Sequence, residues 1–109
     1  MILAKKAGNP APKLEQFSLE SVVYTFDLRE ILEPIELATK VDAPVHDGII
    51  VTGCRSLGTI IEVRIIGAPL DTAQYKDYNI QVPFHTNMNN IRAVTFTLRI
   101  HKWQKVILY

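Results

Sequence analysis

From Phe17 onward the apolar residues recur at every second position, and that period decides most of what the chain can become. Val22, Tyr24, Phe26 and Leu28 share one side of an extended backbone, with Val23, Thr25 and Asp27 on the other. Ile61, Val63 and Ile65 oppose Glu62 and Arg64, although Ile60 and Ile66 add apolar surface to the second side. Tyr78, Ile80, Val82 and Phe84 form another stripe, and Val94, Phe96, Leu98 and Ile100 stand against Thr95, Thr97 and Arg99. Over residues 35–42 the same rule turns Ile35, Leu37, Thr39 and Val41 one way and Glu36, Ala38, Lys40 and Asp42 the other. Residues 49–52 are a short apolar run between Gly48 and Gly53.

Turn formers separate these runs: Pro44, His46-Asp47-Gly48, Ser56-Leu57-Gly58, Gly67-Ala68-Pro69 and Asn87-Met88-Asn89-Asn90. Six or seven short strands at this spacing predict an all-β sandwich. The one helical candidate is 27–33, where Asp27 would cap one or two turns with Glu30 three residues on and Pro34 as the stop. Pro83 removes a ladder donor from the 78–84 run, which puts that strand at an edge near its end or at a bulge.

The two ends differ from the middle. Residues 1–13 read as an extended N-terminal arm, because Gly8, Pro10 and Pro12 oppose regular pairing and Lys5, Lys6 and Lys13 meet no acid before Glu15. Residues 14–101 are the sandwich. Residues 102–109 continue strand-like, and Val106, Ile107, Leu108 and Tyr109 make a β-prone tail that calls for something to pair with.

Composition narrows the class. Hydrophobic residues make up 48 % and charged ones 21 %, which excludes intrinsic disorder and collagen. Cys54 is the only cysteine, so no internal disulfide can form and a reducing cytosol suits the chain. No apolar run approaches the roughly 20 residues that span a bilayer, and the order of residues 1–6 is not that of a signal peptide. The protein therefore reads as soluble and not exported by that route. A net charge of +1 gives no bulk reason for nucleic acid or an acidic membrane as partner. The charges are nevertheless segregated: residues 14–47 hold eight acids and two bases, net −6, while residues 48–109 hold three acids and seven bases, net +4. Such halves pair within one molecule or between molecules packed side by side.

Catalytic chemistry has little to stand on. His46, His85 and His101 share no metal-ligand spacing with one another or with Cys54. A nucleophile from Cys54 and a distant histidine would have to assemble in space, and Cys54 follows Gly53 at a strand end, where a lone cysteine usually serves as filler. Asp71 and Asp77 read as solvated loop carboxylates. The five glycines are scattered singly, so no phosphate-cradling loop exists and no cofactor is expected. Arg99, His101, Lys102 and Lys105 surround Trp103; this mixture can stack on single-stranded nucleic acid, but an interface anchor is the favoured reading.

Asp27-Leu28-Arg29-Glu30-Ile31-Leu32-Glu33-Pro34-Ile35-Glu36-Leu37-Ala38-Thr39, Gly58-Thr59-Ile60-Ile61-Glu62-Val63, residues 75–82 and Val94-Thr95-Phe96-Thr97-Leu98-Arg99-Ile100 together carry a resemblance. Over residues 22–101 the chain resembles small immunoglobulin-like domains of tailed-bacteriophage virion proteins, departing from them in Pro34-Ile35, where a glycine-acid pair is usual, and in lacking a tryptophan in the first turn. The resemblance implies an immunoglobulin-like β-sandwich of about seven strands and a structural role in the virion, without catalysis or cofactor. The expectation is a capsid cement or decoration protein, which a short single-domain chain with two adhesive ends fits: it would bind the major capsid protein shell, assemble in the host cytoplasm and act as a homo-oligomer, with no small molecule, nucleic acid or membrane as partner. Its partner-binding residues would be Ile2, Leu3, Lys5 and Lys6 in the arm and Trp103, Lys105, Ile107 and Tyr109 in the tail. A tail, connector or fibre-adaptor protein is the first alternative, and a receptor- or carbohydrate-binding module with exposed aromatics at the strand ends is the second.

Overall fold

The computed structural model describes residues 1–6, 8–46, 48–67, 69–70 and 73–102. The tail residues Trp103, Lys105, Ile107 and Tyr109 lie outside the described residues, as do Asp47 and Asp71. Among the described residues there are eight strands and no helix: β1 (Ile2–Leu3), β2 (Lys13–Phe17), β3 (Ser21–Asp27), β4 (Ala38–Val41), β5 (Ile49–Ser56), β6 (Ile60–Gly67), β7 (Tyr75–Thr86) and β8 (Ile91–His101). They form two mixed four-stranded sheets, ordered β1-β3-β6-β5 and β2-β8-β7-β4. β1 runs parallel to β3 and β2 parallel to β8; the other pairs are antiparallel.

The alternating stripes become the core. Phe26, Ile61, Val63, Ile65, Ile80, Val82, Phe84, Val94, Phe96, Leu98 and Ile100 are all fully buried between the sheets. Aromatic rings interlock across the gap, with Phe96 5.0 Å from Phe26 and 6.4 Å from Tyr24 between centroids. On the arm side one polar side chain also crosses. Gln16 of β2 is buried, donates to the carbonyls of Glu20 (2.9 Å) and Ile65 (3.3 Å), and accepts from the Tyr24 hydroxyl (2.8 Å). Burial, with some help from Glu20, pushes the Tyr24 phenol up to about 12, so it stays a donor at any ordinary pH.

Four readings gain detail or change on meeting the fold. The first is the extended arm, residues 1–13, which is tied into both sheets: Ile2 and Leu3 pair with Phe26 and Asp27, Ala4 is fully buried, and Lys13 already opens β2. The chain starts in one sheet and enters the other within a dozen residues. A second difference lies at 35–42, where the register is inverted. Glu36 and Ala38 are buried, whereas Ile35 and Leu37 are exposed, and a bulge between Ala38 and Lys40 resets the phase so that Val41 turns inward. Thirdly, the run 49–52 does not end at Gly53. There φ is +57° and the pairing with β6 shifts between Thr52 and Arg55, a bulge that carries β5 on to Ser56.

Lastly, the segment 27–33 makes one turn and no helix. The Leu28 carbonyl accepts from the amides of Ile31 (2.9 Å) and Leu32 (3.0 Å) and the ladder goes no further, because too few residues precede Pro34 to repay helix nucleation. Asp27 does cap it, accepting from the Arg29 amide at 3.0 Å; that bond, then the Arg29 guanidinium, hold its carboxyl below the usual range against the opposing effect of burial. Glu30 reaches Lys5 at 3.7 Å instead of closing a capping box.

Pro83 sits where a missing donor costs least. Its carbonyl accepts from Asp42 at 2.9 Å, so its nitrogen also faces the β4 side, just where that short strand gives out.

Candidate partner-binding groove

β1 and β2 lie on the same side of the sandwich, and each covers only part of its neighbour. β1 reaches Phe26 and Asp27 of β3; β2 reaches residues 97–101 of β8. On this side of β8 the Thr97 amide donates to the Pro12 carbonyl at 2.9 Å. Because successive main-chain groups alternate along a strand, Ala93 and Thr95 present their N–H and C=O to the same side, where no described backbone group meets them. Pro83 opposite Ala93 fits this alternation, since a proline needs a position that does not donate into the β7–β8 ladder.

The segment between β1 and β2 stands beside that open edge and forms a groove of about 640 Å³. Its wall includes Lys5, Lys6, Gly8, Asn9 and Ala11; its floor is Gln81, Pro83, Ile91, Ala93 and Thr95, with Arg92 at the rim. The wall is fixed at several points: Ala4 donates to the Asp27 carbonyl (2.9 Å), Lys5 pairs with Glu30, and Asn9 donates to the Lys6 carbonyl (3.2 Å). Lys6 is exposed and has no ion-pair partner among the described residues. Of the residues read from the sequence as partner-binding, Lys5 and Lys6 therefore line the groove, while half-buried Ile2 and Leu3 serve the fold itself.

Above the groove, at the end of the sandwich, a polar hub escapes the alternation rule. Glu36 Oε2 accepts from Thr86 Oγ1 (2.7 Å) and Asn90 Nδ2 (2.8 Å), and Oε1 from Arg92 Nε (2.9 Å) and the Glu33 amide (2.9 Å). Burial alone would raise this carboxyl; the donors from Asn90, Glu33, Arg92 and Thr86 outweigh it and hold the pKa at about 2. The only sequence signal was the polar cluster Asn87–Asn90 flanked by Thr86 and Arg92, which gives no hint of a partner some fifty residues earlier. Nearby, Asn87 clamps the Ile35 carbonyl (3.4 Å) and the Leu37 amide (2.8 Å).

That clamp holds Ile35 at φ +64°, a conformation a β-branched residue resists, with its side chain 89 % exposed. Ile35→Gly should therefore raise stability by about 1 kcal/mol, the relieved strain exceeding glycine's entropic cost; chemical denaturation checks this, and a loss would mean the side chain makes contacts in solution that offset the strain.

The chain matches no family model, no curated protein and no solved structure. Its own chemistry must carry the functional reading. Cys54 donates to the Thr52 carbonyl at 3.8 Å, and burial pushes its thiol up, away from the thiolate that attacks substrates. His85 is held 2.9 Å from Asp42 and His101 3.5 Å from Glu15. Among the described residues no three His, Cys, Asp or Glu side chains gather as metal ligands. The acidic third meets the rest of the same molecule through Glu36–Arg92 and Lys5–Glu30. Phe17 and Tyr75, each about half exposed, flank His101 at 6.0 and 6.4 Å.

Proposed function

We propose that this protein is a non-enzymatic structural component of a tailed-phage particle, an immunoglobulin-like capsid cement that binds the major capsid protein shell and ties its subunits together. Lettering β2 to β8 as A to G puts B, E and D in one sheet and C, F and G in the other with the A segment parallel to G, the immunoglobulin grouping, and this supports the finer fold assignment; β1 is an addition, parallel to β3 where an immunoglobulin strand A would be antiparallel to B. The observation that carries the functional reading is the open edge of β8 beside a pinned basic segment, since strand edges are where small β domains join neighbours with defined register.

The test uses bare shells and tails purified separately from the phage that carries the gene. Cosedimentation with shells, together with a higher shell melting temperature, is the expected result. Binding to tails alone would move the role to a connector or fibre adaptor, and binding to neither would overturn the virion reading. A second reading, a carbohydrate- or receptor-binding module, is favoured by the Phe17–His101–Tyr75 row at the other end of the sandwich. Titration with oligosaccharides, with Tyr75→Ala as control, separates the two.

A further inference from the structure

We propose that the groove beside β8 takes an extended, acidic segment of a partner protein, which adds to the sheet edge by pairing its main chain with Ala93 and Thr95. This rests on the virion reading above and names the surface and the chemistry of what it binds. Two independent features point to this occupant. On one side of a strand whose other side is fully paired to β7, the N–H and C=O groups of Ala93 and Thr95 meet no backbone partner among the described residues; an incoming strand satisfies such groups in a way that water-exposed side chains do not. Residues 91–95 offer about 16 Å of edge at roughly 3.3 Å per residue, enough for a strand of ordinary length to take hold.

Charge then selects among strands. The groove is lined by Lys5, Lys6 and Arg92 and by no acid. Lys5 is engaged with Glu30 and Arg92 with Glu36, which leaves Lys6 as the cation available to an incoming carboxylate. Ile91, 71 % exposed, and Pro83 supply apolar floor for the partner's alternate side chains. A bare guard role for the lysines, keeping other strands off the edge, makes the opposite prediction: no strand of any charge should be held there.

The probe is a synthetic blocked hexapeptide, Thr-Glu-Val-Glu-Thr-Glu, with a counterpart carrying Lys for Glu. Amide hydrogen exchange on the intact protein should find Ala93 and Thr95 exchanging fast when free and at least about tenfold slower with the acidic peptide. The Lys peptide should give no such protection. Lys6→Glu should weaken acidic-peptide binding about fivefold, the scale of one exposed ion pair, without disturbing the fold. Ala93→Pro removes one edge donor on the side away from β7 and should abolish protection at Thr95; because that variant can fail to fold, the wild-type exchange data and Lys6→Glu stand without it. Saturating peptide with no change at Ala93 and Thr95, or equal protection by both peptides, overturns the proposal. Shell binding in which these two amides still exchange freely removes the groove and leaves the virion reading; protection by the peptide with no shell binding does the reverse.

Discussion

Phe96→Ala should cost about 3–5 kcal/mol, close to half the stability of an ordinary small domain. The ring is fully buried at the centre of β8, and its contacts with Phe26 and Tyr24 reach across to the opposite sheet. Truncation loses the transfer free energy of the ring and leaves a cavity lined by side chains that two hydrogen-bonded sheets hold apart, so little collapse can offset it. Thr95→Ala, one residue away on the outer face, should stay within about 0.5 kcal/mol. Urea denaturation of both variants checks the pair. A mild Phe96→Ala beside a costly Thr95→Ala would mean that β8 is paired one residue out of register.

That contrast shows which part of the molecule the sequence makes legible. Along the middle of β3, β6, β7 and β8 the inward positions are apolar and face apolar partners across the β3–β6 and β7–β8 ladders, so period alone identifies faces, strands and core; the exceptions fall at strand ends, where Thr86 turns inward, Phe84 faces Arg92 and Ile100 faces Lys76. The rule fails where burial is decided by a distant group. Glu36 lies inside because Thr86, Asn90 and Arg92 converge on it, and no local pattern announces a meeting between residues 50 to 56 positions apart. The exposed Ile35 and Leu37 are the counterpart of the same event. Ile2 and Leu3 stood out as apolar residues of the arm, but two residues are too few to show a period, so their pairing with β3 was not legible. Lys5 and Lys6 were readable as a basic segment, but the groove they line depends on how far β2 extends along β8, which alternation does not specify.

These two kinds of order meet at one end of the sandwich, because Arg92 belongs both to the Glu36 hub and to the rim of the groove. Thr86 links the hub to the β7–β8 turn as well, accepting from the amides of Met88 and Asn90 at 3.3 Å each. The hub therefore sets the geometry of the first residues of β8, the ones whose edge is open. A change at Glu36 should thus reach the groove through Arg92.

Glu36→Ala is the variant that tests this, and it should lower the melting temperature by on the order of 10 °C at neutral pH. Removing the carboxylate strands the Arg92 guanidinium in a half-buried site and leaves donors of Thr86, Asn90 and the Glu33 amide without their acceptor. Glu36→Gln keeps shape and one acceptor but loses the charge facing Arg92, so it should fall between wild type and alanine. The pH dependence has a definite sign. The carboxyl titrates at about 2 in the fold against an ordinary value of 4.5, so its contribution is complete above pH 4.5 and is lost as the pH falls towards 2. Wild type should lose stability across that window more steeply than Glu36→Gln, whose side chain does not titrate. Thermal melts of both at a series of pH values from 6 to 2 measure the difference, and parallel curves would mean that Glu36 is solvated in solution and the hub does not hold.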